Sequence, residues 1–244
     1  MNRLLIIIFI VVLLSLSVIV TAYAHERNDN GYFSIVDESG SVVYLTGWNV
    51  GIGDQFITEN NKRYEVTGIE GDIAYAKFIG EVNMSIYAQP NRIQALWQSL
   101  LQPRVARAAD DKGKVAIYHT HSDESYVPTD GTDSIYGAGG IYKVGDAFAS
   151  ALQAKGLEVV HSNAKHDPHD DMAYERSRRT VTDLLKQQPD AIFDVHRDST
   201  PPEVYKANIN GQDVSKVQLV VGKYGPTGKQ IEDYALQIKA ASDS

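Results

Sequence analysis

Four side chains able to bind a cation or move a proton follow directly on the apolar run Val115-Ala116-Ile117-Tyr118: His119, His121, Asp123 and Glu124. A second stretch has the same layout, with Ala191-Ile192-Phe193 leading into Asp194, His196, Arg197 and Asp198. In α/β proteins the loops at the carboxyl ends of buried strands project into the ligand crevice. Two strands that each end in histidine and carboxylate read as two halves of one metal site. The chain has no cysteine, so the ligands must be nitrogen and oxygen, which points to zinc first and manganese second. A catalytic zinc takes three protein ligands and keeps one position for water. His121, His196 and a carboxylate would supply three, and Glu124 is the carboxylate nearest in sequence to the first histidine. Asp194 or Asp198 could orient an imidazole from behind. For His161, His166 and His169, in a polar stretch, the default is a hydrogen-bonded structural role.

Two other metal patterns overlap the first cluster. His119-Thr-His121-Ser-Asp123 satisfies an H-x-H-x-D start of the metallo-β-lactamase type, but Glu124 stands where that motif has another histidine. The H-x-H strand end also fits a secreted metal-dependent phosphoesterase, although such enzymes need further His/Asp clusters along the chain.

The elements that must position these residues are legible as a pattern. Residues 142–154 place Val144, Phe148, Ala151 and Leu152 on one helical face, and Lys155-Gly156 forms a helix stop. Residues 157–160 read as a strand, 174–188 as a second amphipathic helix with Val181, Leu184 and Leu185 inward, and 217–222 as a further apolar strand. Residues 230–241 begin another helix. Strand, helix, strand in this order implies a right-handed parallel crossover, so residues 114–244 are predicted to form a three-layer α/β domain. Residues 128–140, rich in Gly, Asp, Thr and Ser, read as a mobile loop beside the site.

Upstream, residues 31–82 alternate short β-like runs with Gly/Asp/Asn turns, predicting a small all-β module of five or six strands. Residues 83–113 read as a linker containing one amphipathic helix built on Ile93, Leu96, Trp97, Leu100 and Leu101. Residues 1–24 hold Arg3, a nearly unbroken apolar run and then Ala22-Tyr-Ala24, the pattern of a signal peptide or an uncleaved membrane anchor. That places the remainder outside the cytoplasm. Lys+Arg 23 against Asp+Glu 31 gives net charge −8, a balance that offers no basic field for nucleic acid.

The stretches Ile117-Tyr-His-Thr-His-Ser-Asp-Glu-Ser-Tyr126, Tyr142-Lys-Val-Gly145, Tyr174-Glu-Arg-Ser-Arg-Arg-Thr180 and Phe193-Asp-Val-His-Arg-Asp-Ser199 together resemble the stage II sporulation protein P family. The resemblance runs from about Val115 onward. It implies a membrane-anchored, extracytoplasmic peptidoglycan hydrolase of endospore formers, related to zinc-dependent N-acetylmuramoyl-L-alanine amidases and also credited with endopeptidase activity. The implied partners are peptidoglycan itself and the SpoIID transglycosylase with other engulfment proteins. By that analogy His121 and His196 match the two histidine ligands. The amidase ligand glutamate would fall near residues 137–141, where this chain has none, and Glu124 is the substitute. The resemblance further implies a last strand with a general acid/base glutamate beyond Ser244, a role with no residue in this chain. A chain without that strand has an alternative reading, a non-catalytic wall- or partner-binding protein.

Overall fold

Strand β6 (Lys114–Tyr118) lies at the centre of a parallel three-stranded sheet, flanked by β7 (Glu158–His161) on one side and β8 (Ala191–Asp194) on the other. The computed structural model describes residues 26–27, 29, 31–88, 113–222 and 228–242. Both pairings are parallel, with Ala116 opposite Val160 and opposite Ile192. Val115 and Ile117 alternate to one face and build the core with Ala149, Leu157, Phe148, Leu152 and Phe193. Burial on both sides explains why β6 reads as an unbroken apolar run rather than an alternation. Ile117 is fully buried. Ile117→Ala is therefore expected to lower stability by about 2–5 kcal/mol, read as an earlier midpoint of urea unfolding.

The connections are helical. After β6 comes a single turn of helix, α1 (Val127–Asp130), then α2 (Ile141–Ala154), which leads into β7. Helix α3 (Ala173–Leu185) connects β7 to β8. The buried residues of α2 are Ile141, Gly145 and Ala149, four residues apart along one stripe. Gly145 marks the closest approach to the sheet, because a Cβ there would sit 2.4 Å from His161 Nε2 and 2.6 Å from His119 Nε2. Three expected inward residues face solvent instead: Val144 is 40% exposed, Leu185 56%, and Ala151 is exposed as well. The helices sit rotated toward their small residues, which allow backbone to approach the strands. A fourth helix, α4 (Gly228–Ser242), covers the range expected for the last helix and ties back to the upstream residues through Glu232, whose carboxylate accepts from Arg63 at 2.8 Å.

Two expectations are corrected. Residues 217–222 form no strand, and Val217 is 83% exposed. Among the described residues no neighbouring strand offers that run a hydrogen-bond ladder, and an apolar pattern alone does not make one. Instead β9 (Lys206–Ile209) and β10 (Gln212–Ser215) form an antiparallel hairpin about Asn210-Gly211, both with positive φ. Residues 128–140 are not a loose loop. Ser125 N–H donates to Asp133 O, Ile135 N–H to Asp123 O and Gly139 N–H to Ser122 O. The loop is laced back onto the first site motif along its length.

The upstream sheet has five strands, at the low end of the expected number. They are β1 (Phe33–Val36), β2 (Val42–Thr46), β3 (Gln55–Ile57), β4 (Lys62–Glu70) and β5 (Ile73–Glu81), ordered β2-β1-β5-β4-β3. Ile35, Tyr64, Val66, Ala74 and Ala76 form its core. The amphipathic helix expected within residues 83–113 and the apolar segment of residues 1–24 lie outside the described residues. Among the described residues no helix is long and apolar enough to cross a membrane.

Candidate metal centre

Immediately beyond β6 the chain turns sharply, and His119 to Ser125 are all buried. Seven consecutive polar residues are buried only where each can find a partner, and here most do. Thr120 donates from its amide and hydroxyl to Asp194 at 2.8 and 2.6 Å. Ser122 Oγ donates to Asp167 at 2.7 Å, and Ser134 Oγ to Asp123. The interlocking draws the ends of β6 and β8 into one polar knot.

Within it, His121, Glu124, His196 and Glu26 each present a ligand atom, all within 4.8 Å of one another. His121 Nδ1 lies 3.0 Å from Glu26 Oε2 and 3.1 Å from Glu124 Oε1. His196 Nδ1 donates to the same Glu124 oxygen at 3.0 Å, and its Nε2 donates to Asp194 at 3.0 Å. The other Glu124 oxygen accepts the Arg197 amide at 2.5 Å. The three residues selected from sequence are thus brought together, and Asp194 holds the His196 ring from behind. Asp198 does not face either ring. It accepts from the Gly47 amide and from Tyr205 Oη at 2.6 Å.

Glu26 is the addition that sequence reasoning missed. A lone glutamate 95 residues from His121 carries no motif or periodicity that would single it out. His169 also lies closer than its default reading implied. Its ring stacks on His121 at 4.0 Å and its Nδ1 donates to Asp123 at 3.1 Å. His119, by contrast, turns away. Its Nδ1 donates to Val195 O at 2.8 Å and its Nε2 meets His161 Nε2 at 2.8 Å, so the H-x-H pair does not converge on one ion. His166 is structural, bonded to His119 O at 2.7 Å and Thr180 Oγ1 at 2.8 Å. Trp48 meets the His196 ring edge-on at 5.3 Å, and Tyr174 meets His121 likewise at 5.2 Å.

The electrostatics describe a cluster of held protons. Burial would by itself push His196 down, but Asp194 and Glu124 hold it well above the ordinary imidazole range. Burial also opposes protonation of His121, and hydrogen bonds to Glu124 and Glu26 outweigh it, raising that ring to about 9. Burial would raise Glu124, yet the two imidazoles keep it ionised, below the usual carboxylate range. Glu26 goes the other way, pushed up to about 8 by burial and by the charge on Glu124. His121 Nε2 and Glu26 Oε1 are buried with no hydrogen-bond partner. Buried polar atoms almost always find one, so each of these two is open to a ligand from outside the protein. Two imidazoles and two carboxylates with ligand atoms within 4.8 Å of one another fit a divalent cation.

A cleft of about 2210 Å³ opens beside His196, bordered by Trp48, Tyr44, Phe148, Phe193 and Tyr205. It exceeds the few hundred to about 1,000 Å³ of an ordinary small-molecule pocket.

Residues 57–244, more than half of the chain, match the family model described as stage II sporulation protein P. The stage II sporulation protein P of Bacillus subtilis (strain 168) is 33% identical over 127 residues, covering 46% of this chain and 32% of the relative. The chain therefore spans about a third of the length of that curated relative. No solved structure matches.

Proposed function

Since the chain belongs to the stage II sporulation protein P family, we propose that it is a zinc-dependent peptidoglycan hydrolase of sporulation, with His121, Glu124 and His196 as the metal ligands. The bond we assign is the amide between N-acetylmuramic acid and the L-alanine of the stem peptide, with stem-peptide cross-links as a second target. The observation that carries this reading is the convergence of two strand-end histidines and a buried carboxylate, with ligand atoms within 4.8 Å of one another.

Zinc bound there would supply Lewis-acid polarisation of the scissile carbonyl and a water acidic enough to attack at neutral pH. The chain's own groups prepare the place. Asp194 accepts the His196 Nε2 proton and so leaves Nδ1 facing the centre. The Arg197 amide ties down one Glu124 oxygen and leaves the other toward the histidines. Tyr174 and Trp48 pack against the rings and exclude bulk water from their edges. The same reading supports a mixed α/β fold of three-layer amidase type for residues 114–244, with residues 31–82 as a separate β module. On this reading the protein acts outside the cytoplasm, secreted or anchored through residues 1–24, on peptidoglycan, with the SpoIID transglycosylase and other engulfment proteins as candidate partners.

The test is metal content and muropeptide digestion by the full chain. We expect about one zinc per chain and peptides released from muropeptides, with no phosphate released from esters. Zinc bound without any peptide release would remove the enzymatic reading and favour a wall-binding protein.

A further inference from the structure

Three of the four converging side chains come from the ends of β6 and β8. The fourth, Glu26, arrives on a segment outside residues 57–244, the part that matches the family. The segment lies along the end of β2. Glu26 forms an antiparallel bridge with Trp48, Arg27 N–H donates to Gly47 O at 2.8 Å, and Asn49 Nδ2 donates to Glu26 O at 3.3 Å. Arg27 anchors it from the outer side. Its guanidinium pairs with Asp29 at 2.6 Å and Asp72 at 2.5 Å, and lies 4.7 Å over the Phe33 ring. Ser199 Oγ donates to Gly31 O at 2.8 Å, which ties the segment to the loop that follows His196. The result is that Glu26 is only 3% exposed, with Oε2 at 3.0 Å from His121 Nδ1 and Oε1 unpartnered.

Ligand number decides what such a centre can do. A zinc with three protein ligands keeps a position for water or substrate, whereas four protein ligands close it. The present set is two imidazoles and two carboxylates, which is a closed set. Building on the metal-centre reading above, we infer that Glu26 is a detachable fourth ligand, carried on an N-terminal strap that includes Arg27, Asp29 and Gly31, and that it closes the centre until the strap lifts. The means of lifting is in the contacts. Asp29 and Asp72 are 62% and 69% exposed, and ion pairs so exposed hold little against solvent and salt. The strap's outer anchor is therefore weaker than the hold on the ligands beyond β6 and β8, where Glu124 and His196 are tied by hydrogen bonds to the Arg197 amide and Asp194.

The experiment is cobalt(II) substitution of the full chain, with azide as the probe for an open coordination position and visible absorption as the readout. The parent, Glu26→Gln, Glu26→Ala and Arg27→Ala are compared. A closed centre admits azide only in its open fraction, so the parent's apparent dissociation constant for azide is the intrinsic one divided by that fraction. We expect azide to bind both Glu26 variants at least about 10-fold more tightly than the parent. Arg27→Ala, which keeps the carboxylate and loosens the strap, should fall between them. Equal azide binding by cobalt-loaded parent and Glu26 variants would overturn the inference alone. Cobalt retained by the parent but lost from both Glu26 variants would make Glu26 a permanent ligand and also overturn it. No cobalt binding by the parent would remove the metal centre itself, and this inference with it.

Discussion

His121→Ala is expected to abolish stable metal binding, with apparent affinity falling by more than about 100-fold, the upper end of what losing a mere outer-shell partner costs. Hydrolysis of muropeptides should fall with it. The ring sits between the two carboxylates, 3.0 Å from Glu26 and 3.1 Å from Glu124. Its removal takes away a ligand and leaves two buried acids facing each other without the cation that relates them. The pH dependence in the parent has a definite sign. Without metal both His121, raised to about 9, and His196 hold protons at neutral pH. A metal must displace those protons, so affinity should climb as pH rises from about 6 to about 9 and fall toward acid. Isothermal titration in buffers of different ionisation enthalpy would count the protons released. Affinity that is flat across that range would contradict the assignment. His161→Asn is the useful contrast. His161 touches His119 and Asp146 and no member of the cluster, so it should retain metal.

The second large effect comes from a position with no chemistry of its own. A Cβ added at Gly139 would lie 2.4 Å from Glu124 O, 2.6 Å from the Asp123 carbonyl carbon and 2.8 Å from Glu124 N. All three are backbone atoms, so no side chain can swing away to make room. The two segments are also joined by hydrogen bonds, Gly139 N–H to Ser122 O at 3.1 Å and Ile141 N–H to Glu124 O at 3.0 Å. Gly139→Ala must therefore push the turn that carries Glu124 out of register with the histidines. We expect a loss of about 1–3 kcal/mol in stability from overpacking and a drop in metal affinity of about 10–100-fold, the scale seen when a ligand loses its support. Gly222, around which a Cβ would meet nothing within 4 Å, serves as control: Gly222→Ala should stay within about 0.5 kcal/mol of the parent. Unfolding curves and chelator competition on the two variants separate the effects.

What could be read in advance follows the range of the interactions. His121, Glu124 and His196 were legible because each stands within a few residues of a buried strand, where local pattern predicts both the strand and the direction of its end. The helix stretches were legible for the same reason, although Val144, Ala151 and Leu185 were assigned to the wrong face. Helical spacing of large apolar residues gave no weight to Gly145 and Ala149, and small residues decide how a helix rotates when it packs this close to a sheet. Asn210-Gly211 was a hairpin signal available in the sequence, obscured because its flanks are polar. The apolar run of residues 217–222 misled in the opposite way, since a strand needs a neighbour and sequence does not reveal which edges are vacant. Glu26 had no local signal at all. Its role exists only because the upstream residues come to rest against the loop after β8, a contact between distant parts of the chain.

That contact ties the chain to itself at long range. The meeting of Glu26 with His121 closes a loop of 95 residues, and that of Glu124 with His196 closes another of 72. A permanent cross-link around a loop near 100 residues would withdraw roughly 4–5 kcal/mol of entropy from the unfolded chain at 25 °C. An ion held by all four side chains works as a reversible version of such a cross-link, fastening the start of the described chain, the central strand and its edge neighbour at one point. Loss of such an ion would free all three together, so a metal bound here would act as a clasp as well.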